Sequence, residues 1–341
     1  MQPIIECSNC KKPRTKLEHV CHSCGHNFYL RVDWKYHDAM KENFPYIDKW
    51  VMDPEFNTPV HKFQKLWMKL DYFTPSLSYK DRGMVSLFSH IVSDNLLPEG
   101  SVVNEDSSGN AGASFSLFSK MCNFKPRIFV SANSNRIKLD QIYSYGADVI
   151  KVNGTREDLY KQALAAEGTY LGHAYMPEFI DGIRSLAYEI FMQNEKMPER
   201  IFIPISAGTL LLGLISGLEH LRTSGEISEI PEIIAVQPES ISPLYDRLNG
   251  IMGRAYGRSI ADALVTVNSP HLGEMVSKLK SYGKAVTVSD HEIMESRQSL
   301  MELGIYAEFS SATTFAAYKK MGKDKTSLLI LTGSGIKNLG E

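Results

Sequence analysis

The chain has 341 residues, 43% of them hydrophobic, enough to bury a full core in two or three domains. Its formal net charge of -2 at pH 7 argues against a general attraction to nucleic acid or to an anionic membrane. No apolar run approaches the length of a membrane span and the N-terminus carries no signal-peptide pattern, so a soluble cytoplasmic protein is expected.

Residues 1–30 carry Cys7-x2-Cys10 and Cys21-x2-Cys24. Each pair can form a turn that presents two thiolates, and four soft ligands close a tetrahedral zinc site with no open position. The segment therefore reads as a zinc-ribbon-like knuckle holding structural zinc on Cys7, Cys10, Cys21 and Cys24. His19, His22 and His26 lie close by but are not needed as ligands. Lys11, Lys12, Arg14 and Lys16 make the knuckle only mildly basic, which weighs against a nucleic-acid partner. Residues 31–56 mix aromatic and charged side chains without a clean period and read as a linker with one short helix.

From Asn57 onward, strand-like and helix-like segments alternate. The apolar run Leu66-Trp67-Met68-Lys69-Leu70 leads into Tyr72-Phe73-Thr74-Pro75-Ser76-Leu77-Ser78-Tyr79-Lys80-Asp81-Arg82-Gly83. Met84, Leu87, Phe88, Ile91 and Val92 then follow at the offsets of a helix face. Ser78 with Asp81 three residues later has the form of a capping box, which puts Lys80 in the first helical turn. A cation there is disfavoured by the helix dipole, a way to lower a lysine's pKa and make it a nucleophile.

Further strands are expected at Ser101–Glu105, Arg127–Val130, Val149–Val152, Ile201–Ile205, Ile233–Val236 and Leu328–Leu331. Helical patterns separate them, including one through Phe115 and Phe118, one ending at Tyr145 and one over Arg156–Ala166. Apolar strands alternating with helices imply an α/β architecture of mostly parallel sheets covered on both faces.

Open α/β sheets bind ligands beyond the carboxyl ends of their strands, so three turns there matter. They are Asp106-Ser107-Ser108-Gly109-Asn110-Ala111-Gly112, Ser206-Ala207-Gly208-Thr209-Leu210 and Leu331-Thr332-Gly333-Ser334-Gly335. The second, at a helix N-terminus, can cradle a phosphate with backbone N–H groups. None is a P-loop. Gly333-x-Gly335 is followed by Asn338 where a dinucleotide fingerprint needs glycine, and no Gly-x-Ser-x-Gly elbow occurs.

Taken together and in this order, the segments resemble a family: the pyridoxal-phosphate (PLP) enzymes of fold type II, and within them the threonine synthase branch. The resemblance rests on Ser78–Gly83, Ser107–Gly112, Tyr145-Gly146-Ala147-Asp148-Val149, Ile305-Tyr306-Ala307-Glu308 with Ser310-Ser311-Ala312, and Leu331–Asn338. It implies two domains: a large PLP-binding domain over 57–97 and 179–341, with a small domain, 98–178, inserted in it. It also implies that Lys80 carries the cofactor and moves protons on the substrate. Asn110 is expected at the cofactor's 3'-oxygen, and Ser107, Ser108, Gly109 and Ala111 at the substrate carboxylate. Ser206, Ala207, Gly208, Thr209 and Leu210 are expected to hold the cofactor phosphate. Thr332 should face the pyridine nitrogen, with Ser334 as second choice; a hydroxyl there favours elimination and replacement over transamination. A homodimer acting on a small-molecule amino-acid substrate is expected.

Several positions depart from the threonine synthase pattern. Ala174, Phe179 and Leu210 align where polar or basic groups receive the phosphate of phosphohomoserine, and none of the three can bind a dianion through its side chain, although Arg184 lies nearby. Each lost charged hydrogen bond costs about 1.5–3 kcal/mol, so a substrate other than phosphohomoserine is anticipated. The leading reading is a PLP-dependent carbon–oxygen lyase of threonine synthase type, acting by elimination or replacement at Cβ or Cγ. The alternatives are a serine/threonine dehydratase or a cysteine or cystathionine synthase-like β-replacement enzyme. More remote is a zinc-ribbon nucleic-acid-binding protein on a degenerate enzyme fold.

Overall fold

The computed structural model describes residues 2–134 and 136–338. Its strands are β1 (Ile4–Cys7), β2 (Phe28–Arg31), β3 (Val60–Phe63), β4 (Leu66–Leu70), β5 (Val102–Glu105), β6 (Lys125–Ser131), β7 (Asp148–Val152), β8 (Thr169–Tyr170), β9 (Arg200–Pro204), β10 (Glu232–Pro238), β11 (Gly283–Val288) and β12 (Ser327–Leu331). The helices are α1 (Lys80–Ser93), α2 (Asn110–Met121), α3 (Arg136–Ser144), α4 (Arg156–Ala165), α5 (Pro177–Gly182), α6 (Arg184–Met192), α7 (Thr209–Ser224), α8 (Pro243–Leu248), α9 (Leu272–Tyr282), α10 (Asp290–Glu302) and α11 (Phe309–Met321). Among the described residues no helix is long and apolar enough to cross a membrane.

Two compact units form, one from Met1–Glu55 and Lys80–Ser185, the other from Phe56–Tyr79 and Leu186–Glu341. The first holds the two-stranded β1-β2 ribbon and a parallel sheet of order β7-β6-β5-β8. The second holds a sheet of order β11-β10-β9-β12-β4-β3, parallel except that β3 runs antiparallel to β4. Every residue of β9 and β12 is buried, as expected of strands whose two faces are both covered by helices. Two helices of these units open on full capping boxes, Thr155 with Asp158 before α4 and Ser289 with Glu292 before α10.

This partition differs from the sequence boundaries. Helix α1 and residues 177–185 group with the β5–β8 sheet because α1 packs on α2 and on α5. Residues 31–55, expected as a linker, are packed into the first unit, with Tyr36, Met40, Phe44, Tyr46 and Ile47 all buried. The expected short helix is a 3-10 turn, Met40–Asn43; the Asn43 side chain holds it by accepting from the His37 N–H at 3.0 Å and donating to the His37 carbonyl at 2.7 Å. An aromatic-rich stretch without a period buries its rings one by one, which leaves no helical or strand-like stripe to read.

Candidate active site

In the first unit, α1 begins at Lys80. This puts Lys80 in the first helical turn, where the sequence pattern expects it. Asp81 accepts a hydrogen bond from the buried Ser114 hydroxyl of α2, and Arg82, fully buried, donates from Nη1 to Ser185 Oγ at 3.3 Å. Gly83 lets the ring of Phe179, on α5, lie against the helix; a Cβ at Gly83 would overlap that ring. The Lys80 Nζ stands 5.5 Å from the centroid of the same ring.

The predicted carboxylate loop leaves the end of β5, and α2 begins at Asn110. Ser107, Ser108 and Asn110 are half-buried, Gly109 exposed and Ala111 buried. The loop folds back so tightly on the first turn of α2 that a Cβ at Gly112 would overlap the Ser107 carbonyl. Behind it, Asp106 accepts from the Tyr170 hydroxyl at 2.8 Å and pairs with Arg156 at 3.2 Å. Burial, opposed by Arg156 and reinforced by Glu105, pushes Asp106 up to about 6.

In the second unit, β9, β12 and β4 are sheet neighbours, so the loops at Ile205–Gly208, Thr332–Gly335 and Asp71–Tyr79 leave adjacent strand ends. Gly208 adopts φ 98°, a left-handed turn that suits glycine, and hands over to α7 at Thr209. The first N–H groups of such a helix have no intrahelical acceptor, a set that fits a phosphate monoester. The loop is held by Ser269 Oγ donating to the Ala207 carbonyl at 2.7 Å and by Ser206 Oγ at 2.8 Å from Thr266 Oγ1. Leu210 is buried.

Thr332 and Ser334 are both buried. The Thr332 hydroxyl donates to Glu308 Oε1 at 3.3 Å and lies 3.2 Å from Ser311 Oγ, which also accepts the N–H groups of Thr332 and Gly333 at 2.8 and 3.0 Å. Ser334 donates its N–H to the Leu77 carbonyl at 3.2 Å, Tyr79 donates its own to the Thr332 carbonyl at 3.0 Å, and Ser78 bridges to Gly333. The segment that runs into Lys80 is thereby stitched to the loop after β12. The sequence placed Glu308 and Ser311 in a motif without giving them roles; the signal was an acidic residue opening a helix whose first turns are rich in Ser, Ala and Thr.

The positions that depart from a phosphate site are equally definite. Phe179 is fully buried. The Arg184 guanidinium is also fully buried and committed to Asp181, through Nε to Oδ1 at 2.6 Å and Nη2 to Oδ2 at 2.9 Å, with Nη2 also donating to the Asn43 carbonyl at 3.0 Å.

In the knuckle, the sulfur atoms of Cys7, Cys10, Cys21 and Cys24 all lie within 4.8 Å of one another, with Cys7 and Cys24 at 3.4 Å and Cys10 and Cys21 at 3.6 Å. A tetrahedron of 2.3 Å zinc–sulfur bonds has edges of about 3.8 Å, so the four thiolates fit that ion. The His26 backbone N–H, outweighing burial, lowers the Cys24 thiol to about 5. His19 serves packing instead, its ring edge-on to Tyr160, Tyr170 and Tyr175.

The family described as pyridoxal-phosphate dependent enzyme matches residues 51–333. The threonine synthase of Methanocaldococcus jannaschii is 28% identical over 294 residues, covering 81% of this chain and 71% of that protein. The serine racemase of Dictyostelium discoideum is 28% identical over 290 residues, covering 80% and 85%. Among solved structures, maize serine racemase superposes with a TM-score of 0.72 at 20% identity, covering 88% of this chain and 94% of that one.

Proposed function

The chain belongs to the pyridoxal-phosphate-dependent enzyme family, and from that premise we propose that it is a fold type II lyase of threonine synthase type whose amino-acid substrate carries no phosphate. Bound PLP supplies the electron sink for bond breaking at the substrate's Cα. Lys80 holds the cofactor and moves the Cα proton. Asn110 serves the cofactor's 3'-oxygen, and the N–H groups from Ser206 to Leu210 serve its phosphate. Thr332, or else Ser334, serves the ring nitrogen. Ser107, Ser108, Gly109 and Ala111 receive the substrate carboxylate. Cys7, Cys10, Cys21 and Cys24 hold structural zinc, and two copies of the chain make the working enzyme.

The observation that supports an unphosphorylated substrate is the commitment of Arg184 to Asp181 beside an apolar Phe179. A phosphate dianion placed there would meet no free guanidinium side chain from Arg184 and would lose several charged hydrogen bonds. A second reading, elimination of water from a hydroxy-amino acid, is favoured by an L-threonine dehydratase of Mycobacterium bovis that is 22% identical over 316 residues.

The test is the visible spectrum of the PLP-loaded protein during titration with a panel of amino acids, followed by product analysis. Serine or threonine giving a ketoacid and ammonia indicates a dehydratase. A new amino acid formed only when a nucleophile is added indicates replacement. Threonine formed from phosphohomoserine would overturn the unphosphorylated reading, and a protein that takes up no PLP would overturn the whole assignment.

A further inference from the structure

The first unit holds a second polar pair near Lys80. His173 follows β8 and is 7% exposed. Its backbone N–H donates to Glu105 Oε2 at 2.9 Å, and its ring Nδ1 lies 3.2 Å from Oε1 and 3.3 Å from Oε2 of the same carboxylate. Glu105 is the last residue of β5 and fully buried; its Oε1 also accepts the Asp106 N–H at 3.1 Å. A buried carboxylate fixed in this way selects the tautomer that carries its proton on Nδ1 and leaves the lone pair on Nε2.

The His173 ring packs edge-on to Phe179, with centroids 5.5 Å apart, on the ring that Lys80 Nζ approaches to 5.5 Å. The charged groups acting on it are Lys80 from α1, Glu105 from β5 and Arg156 from α4. Burial and the Lys80 charge, with Arg156, outweigh Glu105 and hold the imidazole below the ordinary histidine range. A neutral imidazole oriented by a buried carboxylate has the form of a general base.

We propose that His173, oriented by Glu105, is a catalytic base that takes the proton of the incoming nucleophile in a replacement reaction, while Lys80 handles the Cα proton. The proposal rests on the PLP reading above. As the nucleophile's electron pair forms the bond to the substrate carbon that has lost its leaving group, its own bond to hydrogen breaks. The proton passes to Nε2 and from there to solvent, which restores the neutral ring. The nucleophile belongs to the class that is still protonated at neutral pH: water, an alcohol or an unionised thiol. No oxidant or reductant takes part.

The full-length PLP-loaded enzyme tests this with β-chloro-L-alanine, whose chloride leaves without a proton. Two probe nucleophiles are compared: 2-mercaptoethanol, protonated at neutral pH, and 2-nitro-5-thiobenzoate, already a thiolate. Exchange of the Cα proton of L-alanine in deuterium oxide reports on Lys80 separately. We expect His173→Gln to lower the ratio of 2-mercaptoethanol replacement to Cα exchange by about 10²–10⁴-fold, with a far smaller loss for the thiolate. Glu105→Gln should move the midpoint of the 2-mercaptoethanol pH profile to lower pH, because the carboxylate no longer favours the imidazolium. An unchanged ratio in His173→Gln, or an equal loss for both nucleophiles and for exchange, would mean a packing role and overturn the proposal. A wild-type enzyme without Cα exchange would remove the Lys80 reading and this proposal with it. Wild-type exchange with an unaffected His173→Gln would remove this proposal alone.

Discussion

Arg14 of the cysteine knuckle is buried against Glu178 of α5, its Nη1 donating to Oε2 at 3.1 Å and its Nη2 to Oε1. The same carboxylate lies 2.9 Å from His90 Nδ1 of α1. The residue after Glu178 is Phe179, so this pair ties the knuckle to the helix that carries the ring beside Lys80.

Removing one partner of a buried ion pair leaves the other uncompensated. Arg14→Ala is therefore expected to cost about 3–5 kcal/mol in urea unfolding, and Arg14→Lys to recover part of it, since an ammonium keeps the charge but not the two-pronged fit. Chelation of zinc should lower the melting temperature of the protein while the spectrum of bound PLP persists. Loss of that spectrum with the fold intact would contradict a purely structural metal.

Two buried carboxyl groups set opposite pH trends. Burial works against charge on Glu178, but the Arg14 charge and the His90 hydrogen bond hold it well below the ordinary carboxylate range. A depressed acid stabilises the fold above its unfolded pKa of roughly 4.3, and that contribution declines as the pH falls below it. Asp106, raised to about 6, does the reverse: its contribution is present below an unfolded value of about 3.9 and is lost as the pH rises through 6. Asp106→Asn should remove that loss, so that stability no longer falls as the pH rises from 4 to 6. Urea midpoints at several pH values check it; a variant whose pH dependence between 4 and 6 matches wild type would refute the assignment.

Borohydride reduction of the PLP-loaded enzyme, followed by peptide mapping, should label the peptide that contains Lys80. Lys80→Ala should remain folded, by circular dichroism, and lose the covalent label. A label on another lysine would sink the assignment.

Gly83→Ala would drive a methyl group into the fully buried Phe179 ring. Overpacking of this kind costs about 1–3 kcal/mol, and Gly83→Ala with Phe179→Leu should recover much of it. A thermal melt of Gly83→Ala equal to wild type would show that the ring relocates freely.

Much was legible locally. The apolar runs at Ile201–Ile205 and Leu328–Leu331, and the run Leu66–Leu70 with Lys69 inside it, fall on β9, β12 and β4, and the pattern after Lys80 falls on α1. Short apolar runs mark buried strands, and in α1, which is buried throughout from Asp81 to Ile91, the apolar residues still recur at helical offsets among buried polar ones. β11 was less legible because its residues are mostly half-buried or exposed, and β8 because it is only two residues long.

The amino-acid sequence by itself determined the alternating strands and helices, the four cysteines in metal-ligand spacing, the lysine at the head of a helix and the loops at the strand ends. Only the tertiary structure decided which distant polar groups are committed to one another: Arg14 to Glu178, Glu105 to His173 and Thr332 to Glu308. The physical reason is range. Periodicity reports which face of a segment is buried, whereas the partner of a buried charge lies wherever the chain returns, for Arg14 164 residues later. Lys80 could be found by reading along the chain, but the base proposed beside it could not, because His173 and Glu105 meet only across a separation of 68 residues.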